Sequence, residues 1–495
     1  MFKALFFILL STTFCFSQDS SSILKSVKGV VIDSDTKAPL SYTNIYVLRT
    51  GKGVISNEKG FFSLELSDLS SEDSIRFQFI GYSPKTFGLN ELDSSTVVHL
   101  KEKIINVGET LIFGNAPDPK SIVKKILENR PKNYRKSTSK KNVFIRKRYV
   151  NEVGKFELNL KKSSIQLIDD EMVAKMQNVG SKESAYYTDY LGEIYTSANK
   201  NDSDHFKLNP TRIVSLAQDE SSEMEKLDSV FSNILKETND GEYWKIKTGI
   251  LSTKIDLDED DEDGNTSKDT LSNLKRLKYY ASEYENQLFY SSLLDEDDWE
   301  FLHKTSKYDY VLTGGTSVKG EDVYIIDFLP KGGGMFEGRM FITITTNALI
   351  RADYNYAVGK SGRDFQMLGL GYSENKFIGS IYFEKVDSSY CVKYFSKKTG
   401  HSASFERAIS LIKKRERRFL DKKLNQIKTK VEAFQDMEYS FEYLVIDEQK
   451  ISDSEFAAFI QPKKTPIIYV SQFDEKLWQG YSIIEPTQQM REYKK

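Results

Sequence analysis

Apolar and polar positions alternate in short runs through the first part of the chain. Val30-Val31-Ile32 gives way to Asp33-Ser34-Asp35-Thr36, and Ile45-Tyr46-Val47-Leu48 to Thr50-Gly51-Lys52-Gly53. Asn57-Glu58-Lys59-Gly60 leads into Phe61-Phe62-Ser63-Leu64. Ile75, Phe77 and Phe79 alternate with Arg76 and Gln78, a period of two that buries one face of a strand. Val97-Val98-His99-Leu100 closes the set. Short strands broken by Gly- and Asp-rich turns pack as a small β-sandwich. The period then changes. Asp118 suits a helix cap, Pro119 suits the first turn, and Ile122, Val123, Ile126 and Leu127 share one face. A connector helix is expected there, ended by Asn129 and Pro131.

From residue 141 onward the pattern is again β-rich. Ile350, Ala352, Tyr354 and Tyr356 alternate with Arg351, Asp353 and Asn355. Val323-Tyr324-Ile325-Ile326-Asp327-Phe328 is apolar on both faces and reads as a central strand. Lys331-Gly332-Gly333-Gly334 turns it into Met340-Phe341-Ile342-Thr343-Ile344, so successive strands are expected to be antiparallel. Residues 215–236 and 271–305 look helical. The fold class expected is mainly β: an N-terminal sandwich over 27–113, a connector over 114–140, and a larger antiparallel β-rich domain with a few helices over 141–495.

Composition supports this reading. Among 495 residues stand 28 Tyr and 31 Phe, types that favour pleated, half-buried surfaces. The net charge of −2 gives no global electrostatic reason to expect nucleic acid as a partner. The N-terminus reads as a secretory leader: Lys3, then apolar Ala4 to Leu10, then small residues with cleavage after Ser17. A lipoprotein alternative would begin the mature chain at Cys15, but Phe14 is too bulky for that signal. Residues 18–26 form a polar linker, and no later run is long and apolar enough to span a membrane as a helix. The mature chain is therefore expected in the periplasm or at the outer membrane.

The run Gly29-Val30-Val31-Ile32-Asp33, then Pro39-Leu40, Asn44-Ile45 and Gly53-Val54-Ile55-Ser56-Asn57-Glu58-Lys59-Gly60-Phe61-Phe62, resembles the carboxypeptidase-regulatory-like family. Ile75-Arg76-Phe77-Gln78-Phe79-Ile80-Gly81-Tyr82 supports the resemblance, which covers about residues 27–112 and implies a seven-stranded, transthyretin-like sandwich. In that family the module accompanies envelope proteins and TonB-dependent receptors and carries no peptidase activity itself. The later strands Tyr310 to Gly314, Val323 to Phe328 and Gly338 to Ile342 more weakly resemble the curved sheet of lipoprotein-carrier-like folds. The tail Trp478 to Pro486 is similar to that of envelope proteins known only by their regulatory-like module.

Candidate chemistry is sparse. His99 and Glu102 have the H-x-x-E spacing of zinc carboxypeptidases, with His205 as a conceivable third ligand. Residues three apart on a strand point to opposite faces, whereas zinc needs converging ligands, so no metal site is expected. Asp256, Asp258, Glu259, Asp260, Asp261, Glu262 and Asp263, followed by Gly264, suggest calcium, but Thr270 stands where an EF-hand requires a bidentate glutamate. A solvated loop is expected instead. Asp295-Glu296-Asp297-Asp298 is expected to start or end a helix beside Trp299. Cys391, the one cysteine left after leader removal, reads as a small buried hydrophobe.

Between Lys397 and Lys430, twelve basic residues face three acids, a local charge of 12 − 3 = +9. That tract suits an anionic surface, an acidic partner or the chain's own acidic loops; the blander reading is a solvated face of long strands or of a helix. Gly371-Tyr372-Ser373-Glu374-Asn375 lacks the final glycine of a nucleophile elbow, and no phosphate-binding or dinucleotide motif occurs. No catalytic, cofactor-binding or metal-binding residue is assigned and no cofactor is expected. The function expected is binding or scaffolding at the outer membrane through an envelope partner. The alternatives are a carrier or receptor for an apolar ligand in the second domain, and a hydrolase of unrecognised type.

Overall fold

The computed structural model describes residues 26–66, 70, 72–92, 95–103, 117–135, 137–199, 205–217, 221–249, 251–255 and 274–493. The chain is mainly β. Its first strands are β1 (Ser26–Asp33), β2 (Asn44–Val47), β3 (Gly53–Ile55), β4 (Phe61–Glu65), β5 (Ser74–Gln78), β6 (Lys85–Gly88) and β7 (Thr96–Leu100). They form a three-stranded sheet, β4-β1-β7, and a four-stranded sheet, β3-β2-β5-β6. Val27, Val31, Ile45, Val54, Phe62, Ile75, Phe77 and Val98 fill the space between them. These are the alternate positions of the period-two pattern, which removes apolar surface from water on one side of each strand. The turn before β4 depends on its glycine. Gly60 has φ +78°, and a Cβ there would lie 2.6 Å from the Val31 carbonyl oxygen.

The connector helix is α1 (Pro119–Glu128), and the Asp118 carboxylate accepts the backbone N–H groups of Lys120 and Ser121 at 3.3 and 3.0 Å. α1 ends at Glu128 with Asn129 as its C-cap, as expected, and Pro131 then lies in the first turn of a second short helix, α2 (Arg130–Asn133). There follow β8 (Ser139–Ser163), α3 (Asp170–Gly180), β9 (Ser184–Thr196), β10 (Phe206–Ala217), α4 (Ser221–Lys236), β11 (Glu242–Thr248), β12 (Leu251–Ile255) and β13 (Leu274–Arg276). Next come α5 (Leu277–Leu288), α6 (Glu300–His303), β14 (Tyr308–Val318), β15 (Glu321–Pro330), β16 (Phe336–Thr343), β17 (Leu349–Tyr356), β18 (Asp364–Met367) and β19 (Leu370–Val386). The chain closes with β20 (Ser389–Arg415), β21 (Lys422–Lys450), α7 (Asp453–Ala458), β22 (Lys464–Pro466), β23 (Ile468–Val470) and α8 (Gln488–Glu492).

A fourteen-stranded sheet runs β14-β15-β16-β17-β19-β20-β21-β8-β9-β10-β23, with β11, β12 and β18 attached beside it. Neighbours are antiparallel throughout except β10 and β23, which pair in parallel from Val214↔Ile468 to Leu216↔Val470. The run Val323–Phe328 is not central. It belongs to β15, one strand in from the edge strand β14; its apolar character on both faces reflects cover from both sides, not a middle position.

Alternation sorts this sheet into two buried faces. Val143, Ile145, Tyr190, Ile213, Phe395, Phe441 and Tyr443 point towards α1, α5 and α6. Their sequence neighbours Phe144, Leu191, Val214, Tyr394 and Leu444 point the other way, against Ile55 of the sandwich and Trp478, Ile483 and Ile484 of the tail. The second domain is therefore a helix layer, a sheet, and a third layer made jointly by the sandwich and the C-terminal tail. Strands β8, β20 and β21 continue beyond this body. There Leu160, Trp244, Leu411 and Ile427 pack with Ile168, Phe231 and Ile234 in a separate distal core.

Candidate functional site

Three features of the second domain carry polar groups in number: two grooves open to solvent and the distal arm. The first groove, of about 200 Å³, lies beside the end of α5 and is lined by Tyr134, His205, Glu285, Tyr390, Cys391 and Glu448 among others. His205 Nε2 lies 2.5 Å from Glu285 Oε1. Burial, reinforced by nearby Glu448, pushes the Cys391 thiol up to about 11, far from the range in which a thiolate nucleophile works near neutrality. The groove thus brings together a histidine, a carboxylate and a thiol, but not an activated cysteine.

The second groove, of about 570 Å³, is lined by Lys207, Arg276, Lys278, Lys463 and Lys464 with Phe459 and Ile460. Lys207 is its buried member, 6% exposed. Its Nζ donates to the carbonyl oxygens of Phe456 and Phe459 at 3.2 and 2.9 Å and stands 4.4 Å from the Phe456 ring centroid. No sequence signal pointed to this cluster, because its residues come from three segments that only the fold assembles.

The structure separates the residues with zinc-ligand spacing. His99 lies on β7 of the sandwich, Glu102 beyond the strand's end in a bridge with Tyr82, and His205 in the groove of the second domain. His303 Nε2 approaches the Leu293 carbonyl at 3.0 Å, and His401 Nδ1 approaches the Tyr372 hydroxyl at 3.0 Å. Among the described residues no three His, Cys, Asp or Glu side chains gather as metal ligands. The acidic run 256–263 lies outside the described residues. Asp295 accepts the backbone N–H groups of Asp297 and Asp298 at 3.0 and 3.1 Å, which closes the turn that precedes α6 and Trp299.

The basic tract resolves into two parts. Its first residues turn inward: Lys397 pairs with Asp298, and Lys398 with Glu58 of the sandwich at 2.8 Å. The rest follows the distal arm, where β20 and β21 pair out to Arg415↔Lys422. The tract is thus carried on long strands, not on a helix.

The sandwich is fixed to the sheet by groups of several kinds. Asn57 Nδ2 donates to the Glu485 carbonyl at 3.1 Å, and Thr316 Oγ1 to the Lys103 carbonyl at 3.2 Å. Arg351 lies over the Phe79 ring at 4.3 Å, Lys319 over Tyr46 at 5.0 Å, and Tyr42 against Tyr394 at 4.9 Å. The turn Asn57-Glu58-Lys59-Gly60 therefore has two roles, since the Asn57 side chain accepts the backbone N–H groups of Lys59 and Phe61 where the chain crosses from β3 of one sheet to β4 of the other, and Asn57 and Glu58 dock the domain. On the opposite face aromatic side chains pack the layer under the helices, beside the first groove, which enters it past Leu288, Phe383 and Tyr443. Trp299, Phe301, Tyr284 and Tyr354 are each at most 2% exposed, with Tyr290 stacked on Trp299 at 4.9 Å.

No curated protein matches the chain. Among solved structures, the MucA/MucB complex of Pseudomonas aeruginosa is similar at 7% identity over 64% of this chain and 94% of that one, with a TM-score of 0.16. A putative membrane-associated protein of unknown function from Bacteroides fragilis is similar at 8% identity over 84% of this chain and 97% of that one, with a TM-score of 0.13. A cohesin–X–dockerin complex from Acetivibrio cellulolyticus matches at 16% identity over 23% of this chain and 76% of that one, with a TM-score of 0.14. Scores this low carry neither a fold nor a function to this chain. No helix among the described residues is long and apolar enough to cross a membrane. The family model for the CarboxypepD_reg-like domain matches residues 27–112, and those residues, with their paired sheets and their Asn57–Gly60 turn, are a CarboxypepD_reg-like domain.

Proposed function

We propose that the protein is a non-catalytic component of the cell envelope, exported by its N-terminal leader, that binds or scaffolds a partner at the outer membrane. The observation that supports this over an apolar-ligand carrier is the filled face of the large sheet. A carrier needs an apolar space that its cargo can enter. Here the layer between sheet and helices is occupied by Tyr284, Tyr290, Trp299, Phe301 and Tyr354, packed ring against ring. Two grooves, of about 570 and 200 Å³, and the distal arm stay open to solvent around this packed layer. That is the form of a body that presents surfaces to a partner.

The test is crosslinking in intact cells, followed by purification of the tagged chain from envelope fractions and mass spectrometry of protein and lipid. Recovery crosslinked to one outer-membrane component is expected. Stoichiometric lipid in the purified chain would favour the carrier instead. Recovery from the cytosol, or with no partner at all, would overturn the proposal.

A further inference from the structure

The hairpin that joins β20 to β21 carries two large apolar side chains at its tip, Phe419 at 92% and Leu420 at 82% exposure. Both stand apart from an apolar core only a few residues away. Leu411 on one strand and Ile427 on the other belong to the distal core with Trp244, whereas the tip pair belongs to none. Single exposed hydrophobes are ordinary on protein surfaces. Two adjacent ones projecting from a turn, where polar residues would serve, form a patch that something else covers.

The charges around the tip say what that is. Among the described residues its acids are engaged within the chain: Glu242 with Lys413 and Arg415 at 3.1 and 2.5 Å, Glu416 with Lys254 at 2.8 Å, and Asp421 with the Tyr243 hydroxyl at 2.5 Å. Arg417, Arg418 and Lys422 make no ion pair among the described residues; the Arg418 guanidinium lies 5.4 Å from the Phe419 ring centroid. The tip therefore presents an apolar pair ringed by cations. It is held on a stiff arm, because β11 pairs along β20 from Glu242↔Arg415 to Thr248↔Ile409 and β8 pairs along β21 to Ser163↔Ile427.

We propose that this hairpin tip docks on an anionic phospholipid bilayer, with Phe419 and Leu420 entering the boundary between headgroups and acyl chains and Arg417, Arg418 and Lys422 meeting the phosphates. Apolar side chains gain by leaving water for that boundary, and basic side chains gain by proximity to anionic headgroups. A partner protein of matching shape would also cover the patch, but the convex form of a hairpin tip and its ring of like charges suit a soft anionic surface better than a protein pocket. The proposal deepens the envelope reading and rests on it for its setting in the cell.

The test is co-sedimentation of the mature full-length chain, with the acidic run 256–263 in place, with vesicles of phosphatidylcholine alone or mixed with phosphatidylglycerol. Binding to the mixed vesicles is expected, weakening as salt is raised. Phe419→Ser/Leu420→Ser should lower the affinity by about tenfold or more, and Arg417→Glu/Arg418→Glu should abolish the preference for the anionic lipid. Both pairs lie in an exposed turn, so an unchanged urea midpoint will show that the variants are folded. Equal binding to both vesicle types, or tip variants that sediment like the wild type, would overturn the proposal. Failure with vesicles alongside recovery from envelope fractions would remove the lipid contact and leave the envelope reading standing. Vesicle binding by a chain that stays in the cytosol would do the reverse.

Discussion

Replacing Asp189 with asparagine should loosen the centre of the molecule, because this carboxylate neutralises a guanidinium that has lost nearly all contact with water. Arg146 Nε and Nη2 donate to the two Asp189 oxygens at 2.8 and 2.7 Å, and Nη1 donates to the Ile484 carbonyl at 2.9 Å. The two side chains are 5% and 2% exposed. Removing one partner of a buried pair typically costs about 3–5 kcal/mol, because the remaining charge stays desolvated. Asparagine keeps the shape and one acceptor oxygen, and Glu442 and Glu485 still act on Arg146 from nearby. The loss should therefore fall at the low end, about 3 kcal/mol. Trp478 lies 5.7 Å from Phe144 on the same face, which makes tryptophan fluorescence in urea a suitable assay. With a slope of about 3 kcal/mol per molar urea, the midpoint should fall by about 1 M. The double variant Arg146→Met/Asp189→Leu should recover most of that loss, since no charge is then left buried. A midpoint that falls by less than about 0.3 M in Asp189→Asn, or a double variant no better than the single, would refute the reasoning.

Trp244→Ala removes a side chain that is 1% exposed and anchors the distal core. It should cost the arm about 3–5 kcal/mol, read as faster tryptic cleavage between Arg407 and Lys430; unchanged cleavage would contradict a separate distal core. Gly379→Ala would place a Cβ 2.6 Å from the Tyr290 hydroxyl and 2.7 Å from the Tyr354 ring. Overpacking of this kind costs about 1–3 kcal/mol, measurable as a lower urea midpoint, and a neutral result would show that the aromatic layer can shift. The Asp33 carboxylate is held down at about 2 by the Thr36 backbone N–H and the Tyr82 hydroxyl. Because it titrates in the folded chain below its unfolded value of ~3.9, its contribution is complete above that value and disappears as pH falls through the folded one. Asp33→Asn should therefore flatten the loss of sandwich stability between these limits, followed as urea midpoints across acid pH; an unaltered slope would assign the acid sensitivity elsewhere.

Local patterns were legible in the residues themselves. The alternation Ile75, Phe77, Phe79 and the Asn57–Gly60 turn define sandwich strands, and Asp118 with Pro119 defines the start of α1, because strand periodicity and helix capping depend on neighbours within a few positions. The density of Tyr and Phe likewise pointed to β-structure, and the stretch from Lys397 to Lys430 to a charged surface. Pairing was not legible. Nothing local to Val323–Phe328 distinguishes a middle strand from one beside the edge, since covered faces look alike in either place. Nor does a count of basic residues reveal that Lys397 turns inward to Asp298, while Arg417 and Arg418 stand out beside an uncovered Phe419.

The sequence by itself determined the kind of structure: strands of period two, a small regulatory-like sandwich, one capped helix, and a tract of positive charge. The tertiary structure decided what those parts do together. It made both faces of the large sheet interior along the middle of β8, β9, β10, β20 and β21, brought Lys207 to the carbonyls of Phe456 and Phe459, and carried β20 and β21 beyond the body to an exposed tip. The physical reason is range. Periodicity and capping are settled within a turn or two of chain, whereas burial, ion pairing and register join residues hundreds of positions apart and exist only once the sheet has formed.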